Sequence, residues 1–342
     1  MVPALAIAAA LQAKGADVEF VGADRAEAEL VPAAGYRLHR LAVRAIDRHN
    51  PLLAARAGAL ALIATAAARA LLLRVGADAV IGAGGYVAGP VGLAAATARI
   101  PLAICEADSQ LGLANRLLAP FARRAFLAFP IAGREGGKYS VTGRPVPAGT
   151  GAADRRAARR RFGIEPHERC LLVFGGSLGA RSLNHASVEA FGERGPCAVL
   201  HIAGRRDFGA LRARLEALGA PAHYHLCEYV EPFADALAVA DLAAARAGGS
   251  VFELAAAGVP AILVPYPHAS ADHQSSNARW MAEAGAALIV RDSELSAARL
   301  AGEVEALLAA PQRLQAMAAA ALRVARPDAA ERIAAETLEL IR

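Results

Sequence analysis

Cysteine is scarce in this sequence, and its placement excludes more than its number does. Cys105, Cys170, Cys197 and Cys227 show no C-x-x-C spacing, and most sit in apolar, strand-like runs. That pattern favours reduced thiols in a cytosolic protein over disulfides or a zinc site. No cluster of histidine, cysteine and carboxylate side chains has metal-ligand spacing, so no metal is expected. A long uncharged hydrophobic run is also lacking. The longest apolar stretch, residues 52–75, carries Arg56, Arg69 and Arg74, which leaves too short a span to cross a bilayer. Its expected role is a core-packed helix or one lying on a membrane. No strand-like run is followed by G-x-G-x-x-G and a distal acidic residue, which counts against a nicotinamide-dependent oxidoreductase. The apolar residues 1–11 lack the basic flank of a signal peptide and are interrupted by Gln12 and Lys14, so a helix with Pro3 in its first turn is expected.

What is abundant is alanine and leucine, with aromatic residues at 5%. This mixture of small side chains and helix formers suits helices packed closely on parallel strands. The net charge of +5 is mild and spread widely; it gives little support to a nucleic-acid partner and fits an acidic membrane surface or a phosphorylated substrate. At 342 residues the chain has the length of two domains.

A strand-helix rhythm runs along it. Strand-like segments at 18–22, 79–82, 101–105 and 124–128 are followed by a Pro/Gly-rich break at 142–151, after which the rhythm restarts at 171–174, 198–202, 223–226, 242–244, 261–264 and 287–290. Alternating β and α segments imply parallel sheets covered by helices on both faces. The expected organisation is α/β with two doubly wound domains, 1–145 and 155–325, joined by a linker at 146–154. An amphipathic helix in 326–342 is a candidate to return to the first domain. Ligands of such folds bind at the carboxyl ends of the strands.

Two motifs carry the chemistry. The apolar run beginning at Cys170 empties into Gly175-Gly176-Ser177-Leu178-Gly179-Ala180, and a helix follows. Glycines let the backbone approach an anion, the serine offers a hydroxyl, and the helix presents free N–H groups and a positive dipole end, so the run reads as a phosphate cradle; a tight βα turn is its plain alternative. Downstream, a second apolar strand leads into Arg246, Gly249, Ser250, Val251 and Glu253, and then to His273, Gln274 and Asn277. A carboxylate accepts from two vicinal hydroxyls and side-chain amides read sugar hydroxyls, so the pair of motifs reads as a nucleotide-sugar site. Ser250 and Glu253 also have capping-box spacing, and both roles can hold at once. For His273 the plain alternative is a partly exposed histidine near a helix start.

With these pieces in order, the chain resembles the MurG family of bacterial glycosyltransferases, which add N-acetylglucosamine to a lipid-linked muramyl-pentapeptide in peptidoglycan synthesis. The likeness spans nearly the whole chain and is carried by residues 3–8, 82–90, 175–180, 246–250 and 253–260. It implies a GT-B fold, two Rossmann-like domains facing a cleft, and inverting transfer from UDP-N-acetylglucosamine without a cofactor or tightly bound metal. The partners it implies are UDP-N-acetylglucosamine, undecaprenyl-pyrophosphoryl-muramyl-pentapeptide, the inner face of the cytoplasmic membrane, where the protein would be peripheral, and cell-wall assembly proteins. Carried over by position, the backbone at Val230 meets the uracil and Ser177 the diphosphate. Gly249, Ser250 and Val251 meet phosphates and ribose, Glu253 the ribose hydroxyls, and His273 and Gln274 the sugar. Arg246, Asp108 and Arg144 are counted with these donor-binding residues. Gly82, Gly84, Gly85 and Tyr86 match the family's loop for the acceptor pyrophosphate, beside the phosphate-loop glycines Gly175, Gly176 and Gly179.

Some positions depart from the family pattern. Around Cys105-Glu106-Ala107-Asp108 only Glu106 is kept, and Asp108 puts a negative charge where a neutral amide usually meets the substrate. Arg144 is the candidate substitute for a phosphate-facing arginine replaced by proline, and Leu178 stands where glutamine is common. The resemblance also places a first strand, a glycine loop and the family's histidine base ahead of Met1. A start codon assigned too late is the expected explanation, and inactivity of the chain from Met1 the expected consequence. Within the chain Glu106 is the acid nominated as catalytic, with a structural hydrogen bond at a strand end as its alternative. Residues 52–74, joined by 117–124, are the expected membrane-facing surface. Two other functions remain open at this point: a GT-B enzyme with a different acceptor, and a non-catalytic sugar-nucleotide-binding protein of the cell wall.

Overall fold

A computed structural model describes residues 1–43, 51–176, 179–269 and 272–341, and of 51–59 the backbone alone. The chain divides into two compact units, residues 1–148 with 326–342, and residues 149–325.

In the first unit, α1 (Val2–Ala13) starts with a proline in its first turn, where the missing N–H costs nothing. It is followed by β1 (Glu19–Gly22), α2 (Glu27–Ala33), β2 (Arg37–Arg40), α3 (Pro51–Val75), β3 (Val80–Gly82) and α4 (Gly85–Thr97). Then come β4 (Leu102–Glu106), α5 (Leu113–Leu118), β5 (Arg124–Leu127) and β6 (Tyr139–Val141). All the ladders are parallel: β1 pairs with β2, and β3, β4, β5 and β6 pair in that order. Among the described residues β1 and β3 belong to separate sheets. One face of the larger sheet is covered by α3, α4 and α5, whose Ala64, Ala68, Leu72, Ala94 and Leu118 pack on Leu102 and Ile104. The other is covered by α1 and by α14 (Ala329–Leu338), where Ile7, Leu11 and Ile333 meet Ala103 and Phe126.

The second unit runs α6 (Arg155–Phe162), β7 (Cys170–Phe174), α7 (Arg181–Phe191), β8 (Ala198–Ile202), α8 (Phe208–Ala217), β9 (Tyr224–Cys227), α9 (Phe233–Val239) and β10 (Leu242–Ala245). It continues with α10 (Val251–Ala256), β11 (Ala261–Leu263), α11 (His273–Glu283), β12 (Ala287–Ile289), α12 (Ala297–Leu308) and α13 (Pro311–Val324). Its six strands lie in the order β9-β8-β7-β10-β11-β12, all parallel. Strands β7, β8, β10 and β11 are buried throughout, the pattern of a sheet covered on both faces. Winding outward in both directions from β7 and β10 makes those neighbours the topological switch point, where the crevice for a ligand opens.

Helix α6 is fixed to this sheet by charge. The Asp241 carboxylate meets Arg155 at 3.0 Å, Arg159 at 3.2 Å and Arg169 at 3.3 Å, and accepts the Cys170 N–H at 2.9 Å. Arg159 is almost wholly buried, so Asp241 supplies the charge that makes its burial tolerable.

Candidate functional site

Phe174, the last residue of β7, is in register with Ala245, the last of β10, and the Arg246 N–H reaches back to the Phe174 carbonyl at 3.3 Å. The two glycine-rich motifs therefore leave the sheet side by side at the switch point. In the first loop Gly179 has φ +77° and donates its N–H to the Gly176 carbonyl at 2.9 Å. A Cβ on Gly179 would stand 2.2 Å from the Ala203 carbonyl oxygen, and one on Gly175 2.3 Å from Ala180 Cβ, so this loop is packed down against β8 and α7. Gly176 faces open space with φ +96°. Ser177 and Leu178 lie outside the described residues.

The second loop starts from Arg246. The guanidinium is buried in protein contacts: it meets Asp292 at 2.7 Å, donates to Ser182 Oγ at 2.7 Å and to the Val264 carbonyl at 3.1 Å, and lies over the Tyr266 ring. Ser250 occupies the N-cap of α10 without a side-chain cap bond, so the capping box is not made. Gly249 and Ser250 are partly exposed, whereas the Val251 side chain is wholly buried, which leaves only its backbone to meet a ligand. Glu253, in the first turn of α10, is partly exposed. Val230 is buried beyond β9, so only its backbone can read a base.

Helix α11 closes the same edge. Asn277, buried, donates its amide to the Ala247 carbonyl at 3.0 Å and so ties the second loop to this helix. His273 and Gln274 sit partly exposed in its first turn. The Gln274 side-chain oxygen accepts the Tyr266 N–H at 2.9 Å, which leaves its NH2 group as the part able to meet a sugar hydroxyl.

A buried chain of polar groups stands behind the first loop, and the sequence reading passed over it. Asn184 donates to the Ala203 carbonyl at 2.9 Å and to Asp207 at 3.0 Å, its carbonyl pairs with His201 Nε2 at 3.0 Å, and His201 Nδ1 pairs with Tyr224 at 2.8 Å. Burial pushes the His201 pKa down to about 3, so the ring is neutral and can donate at Nε2 while accepting at Nδ1. The available signal was a polar residue in each of two apolar patterns: Asn184 in an amphipathic helix and His201 in a strand.

In the first unit, Gly82 ends β3, and Gly84 and Gly85 have φ +82° and +78° at the start of α4, where an added Cβ would meet open space. Tyr86 lies under the Arg25 guanidinium, 5.0 Å from its ring centre. Glu106, nominated above either as the acid near the acceptor or as a structural hydrogen-bonding group at a strand end, makes the bonds of the second role. That carboxylate is buried and accepts from Asp108 N–H at 3.1 Å, Gly112 N–H at 2.7 Å and Asn115 Nδ2 at 2.9 Å. It closes the loop between β4 and α5, with Oε2 accepting from two donors and Oε1 from one. Asp108 and Arg144 are each partly exposed, in the loop after β4 and the segment after β6.

Residues 1–127 match the Glycosyltransferase family 28 N-terminal domain and residues 170–333 the Glycosyltransferase family 28 C-terminal domain. Curated relatives named UDP-N-acetylglucosamine--N-acetylmuramyl-(pentapeptide) pyrophosphoryl-undecaprenol N-acetylglucosamine transferase include one from Methylococcus capsulatus, 42% identical over 98% of this chain and 94% of its own. One from Moorella thermoacetica is 39% identical over 97% and 93%. The chain belongs to this family of transferases, MurG. A solved structure of Acinetobacter baumannii MurG superposes with a TM-score of 0.77 at 30% identity, covering 99% of this chain and 95% of that one. The fold is GT-B, and the protein is a glycosyltransferase.

Proposed function

We infer that the protein transfers N-acetylglucosamine from UDP-N-acetylglucosamine to the 4-hydroxyl of a lipid-linked muramyl-pentapeptide, with inversion at the anomeric carbon. The observation that carries the donor half is the emergence of both glycine loops from adjacent strands at the switch point of the second unit. Backbone N–H groups at the start of α7, with Ser177, take the diphosphate and stabilise the charge that develops as UDP leaves. Gly249, Ser250 and the Val251 backbone hold the phosphate-ribose region, Glu253 accepts from the ribose hydroxyls, the Val230 backbone reads the uracil, and His273 with the Gln274 NH2 group orients the sugar. In the first unit, the loop from Gly82 to Tyr86 receives the acceptor pyrophosphate, with Asp108 and Arg144 on the same carboxyl edge of the sheet. No metal or cofactor is assigned a role, and Glu106, bonded to three donors of its own loop, is read as structural.

The acceptor's lipid requires a membrane surface. Among the described residues no helix is long and apolar enough to cross a membrane. The first unit does expose Leu62 (69%), Ile63 (67%), Leu117 (63%) and Phe121 (55%) on α3 and around α5, with Arg69, Arg74, Arg116 and Arg123 also exposed. Apolar side chains beside cations suit the interface of an anionic bilayer, here assigned to the inner face of the cytoplasmic membrane. Transfer of labelled N-acetylglucosamine to lipid-linked muramyl-pentapeptide, compared with other lipid acceptors, tests the reaction. Failure with the muramyl acceptor alone would reject it. Charge reversal at Arg69 and Arg74 should weaken binding to anionic vesicles, and equal binding of the parent to anionic and neutral vesicles would remove the membrane assignment.

A further inference from the structure

All the donor contacts just described, apart from Val230, arise from three segments: 175–182, 246–253 and 264–274. One guanidinium touches all three. Arg246 Nη2 donates to Ser182 Oγ at 2.7 Å, in the first turn of the helix that the first loop opens. Its Nη1 donates to the Val264 carbonyl at 3.1 Å and the Pro265 carbonyl at 3.4 Å, at the start of the third segment. Its plane lies 5.5 Å from the centre of the Tyr266 ring, and the Tyr266 N–H is in turn bonded to Gln274. The charge is balanced by Asp292, in the short 3-10 turn after β12, which holds Nη1 at 2.7 Å and accepts the Ser182 hydroxyl at 2.7 Å. Ser182 thus donates to Asp292 and accepts from Arg246, using the hydroxyl in both senses.

We propose that Arg246, Asp292 and Ser182 form a positioning clamp that fixes the three donor-binding segments relative to one another before the sugar nucleotide arrives. The proposal rests on the donor-site reading above. None of the three is a catalytic residue. Loops held in their bound geometry bind more tightly because less order must be imposed on binding. Arginine suits the task because its planar fork reaches several acceptors at once.

The sign of one substitution separates the clamp from a direct phosphate contact. Were Arg246 a cation for the diphosphate, restrained by Asp292, then Asp292→Asn would release it and tighten UDP binding. The clamp requires the opposite. Calorimetric titration of the full chain with UDP should show Asp292→Asn weakening affinity about tenfold, the scale of losing one charge-assisted hydrogen bond. Ser182→Ala should weaken it by a smaller factor in the same direction, and Asp292→Asn combined with Arg246→Lys should cost less than the product of the single effects. In transfer assays the donor KM should rise more than kcat falls, and the acceptor KM should hold. Trp280, the chain's single tryptophan, stacks on Phe252 at 4.8 Å beside the second loop, so its emission should change in the same variants. Unchanged or tighter UDP binding in Asp292→Asn would overturn the clamp. So would a loss no larger than that of Leu215→Ala, a core truncation on α8, a helix that belongs to none of the three segments, at equal loss of melting temperature. A parent protein that binds no UDP would instead refute the donor-site reading itself.

Discussion

Glu106→Gln distinguishes a structural carboxylate from a catalytic one. The change keeps size and shape but exchanges one oxygen for an NH2 donor. In the native loop one carboxylate oxygen accepts from Gly112 and Asn115 and the other from Asp108. The glutamine can keep its carbonyl toward the first pair, and its NH2 group then faces the Asp108 N–H, donor against donor. One hydrogen bond is lost and two lose the charge that strengthened them. With hydrogen bonds to charged groups contributing about 1.5–3 kcal/mol each, the variant should be destabilised by about 2–4 kcal/mol. In a unit made of residues 1–148 and 326–342, a loss of that size lowers the melting temperature by about 5–10 °C. Differential scanning calorimetry should show the loss in the transition of the first unit, and the UDP affinity of the second unit should hold. A general base would behave differently, since its loss costs about 10²–10⁴-fold in rate with little effect on melting. An unshifted melting curve with transfer down more than a hundredfold would refute the structural assignment and restore Glu106 to the chemistry.

Other substitutions probe the second unit. Gly179→Ala places a Cβ at φ +77° and 2.2 Å from the Ala203 carbonyl; the left-handed backbone alone costs about 1–2 kcal/mol, so UDP affinity by calorimetry should fall at least about tenfold as the loop moves away. Asp241→Ala leaves Arg159, the most deeply buried of its three arginines, without a counter-charge and should cost about 3–5 kcal/mol in denaturant unfolding of residues 149–325. His201 has a folded pKa depressed to about 3 from an ordinary value near 6.5, so the unfolded chain binds the proton first as pH falls. Its contribution is full above about pH 6.5 and is lost toward pH 3; between pH 7 and 5 the parent should lose about 2 kcal/mol more than His201→Gln in urea unfolding.

The fold was legible because its strands are long apolar runs separated by helix-forming stretches. The central strands β7, β8 and β10 all fall within the segments expected from the sequence, allowing for a residue at the ends. Strands β2 and β6 were not expected, and the reason is physical. Arg37–Arg40 and Tyr139–Val141 lie at sheet edges, are partly or fully exposed, and lack the apolar signature that burial on two faces imposes. The glycine loops were legible because a positive φ and close packing leave few other residues able to serve. The direction of a side chain was not. Arg246 was counted with the donor-binding residues by its place before the glycines, and its partner Asp292 lies far away in sequence. Glu106 could be read as an acid near the acceptor or as a structural group at a strand end, and its three donors become visible only in the fold. Both partner sets are assembled by tertiary folding, and local spacing carries no trace of them.

The glycine loops of the two units also differ in what surrounds their glycines. Gly175 and Gly179 are crowded by Ala180 and the Ala203 carbonyl, and the latter is itself held by Asn184. The donor loop is therefore buttressed from behind by the buried chain that runs through His201 to Tyr224. Gly84 and Gly85 have no atom within 4 Å of where a Cβ would lie, so only their backbone conformation, and not packing at those positions, demands glycine. On that basis alanine should be tolerated less well at Gly179, where a positive φ and crowding combine, than at Gly84 or Gly85, where φ alone opposes it.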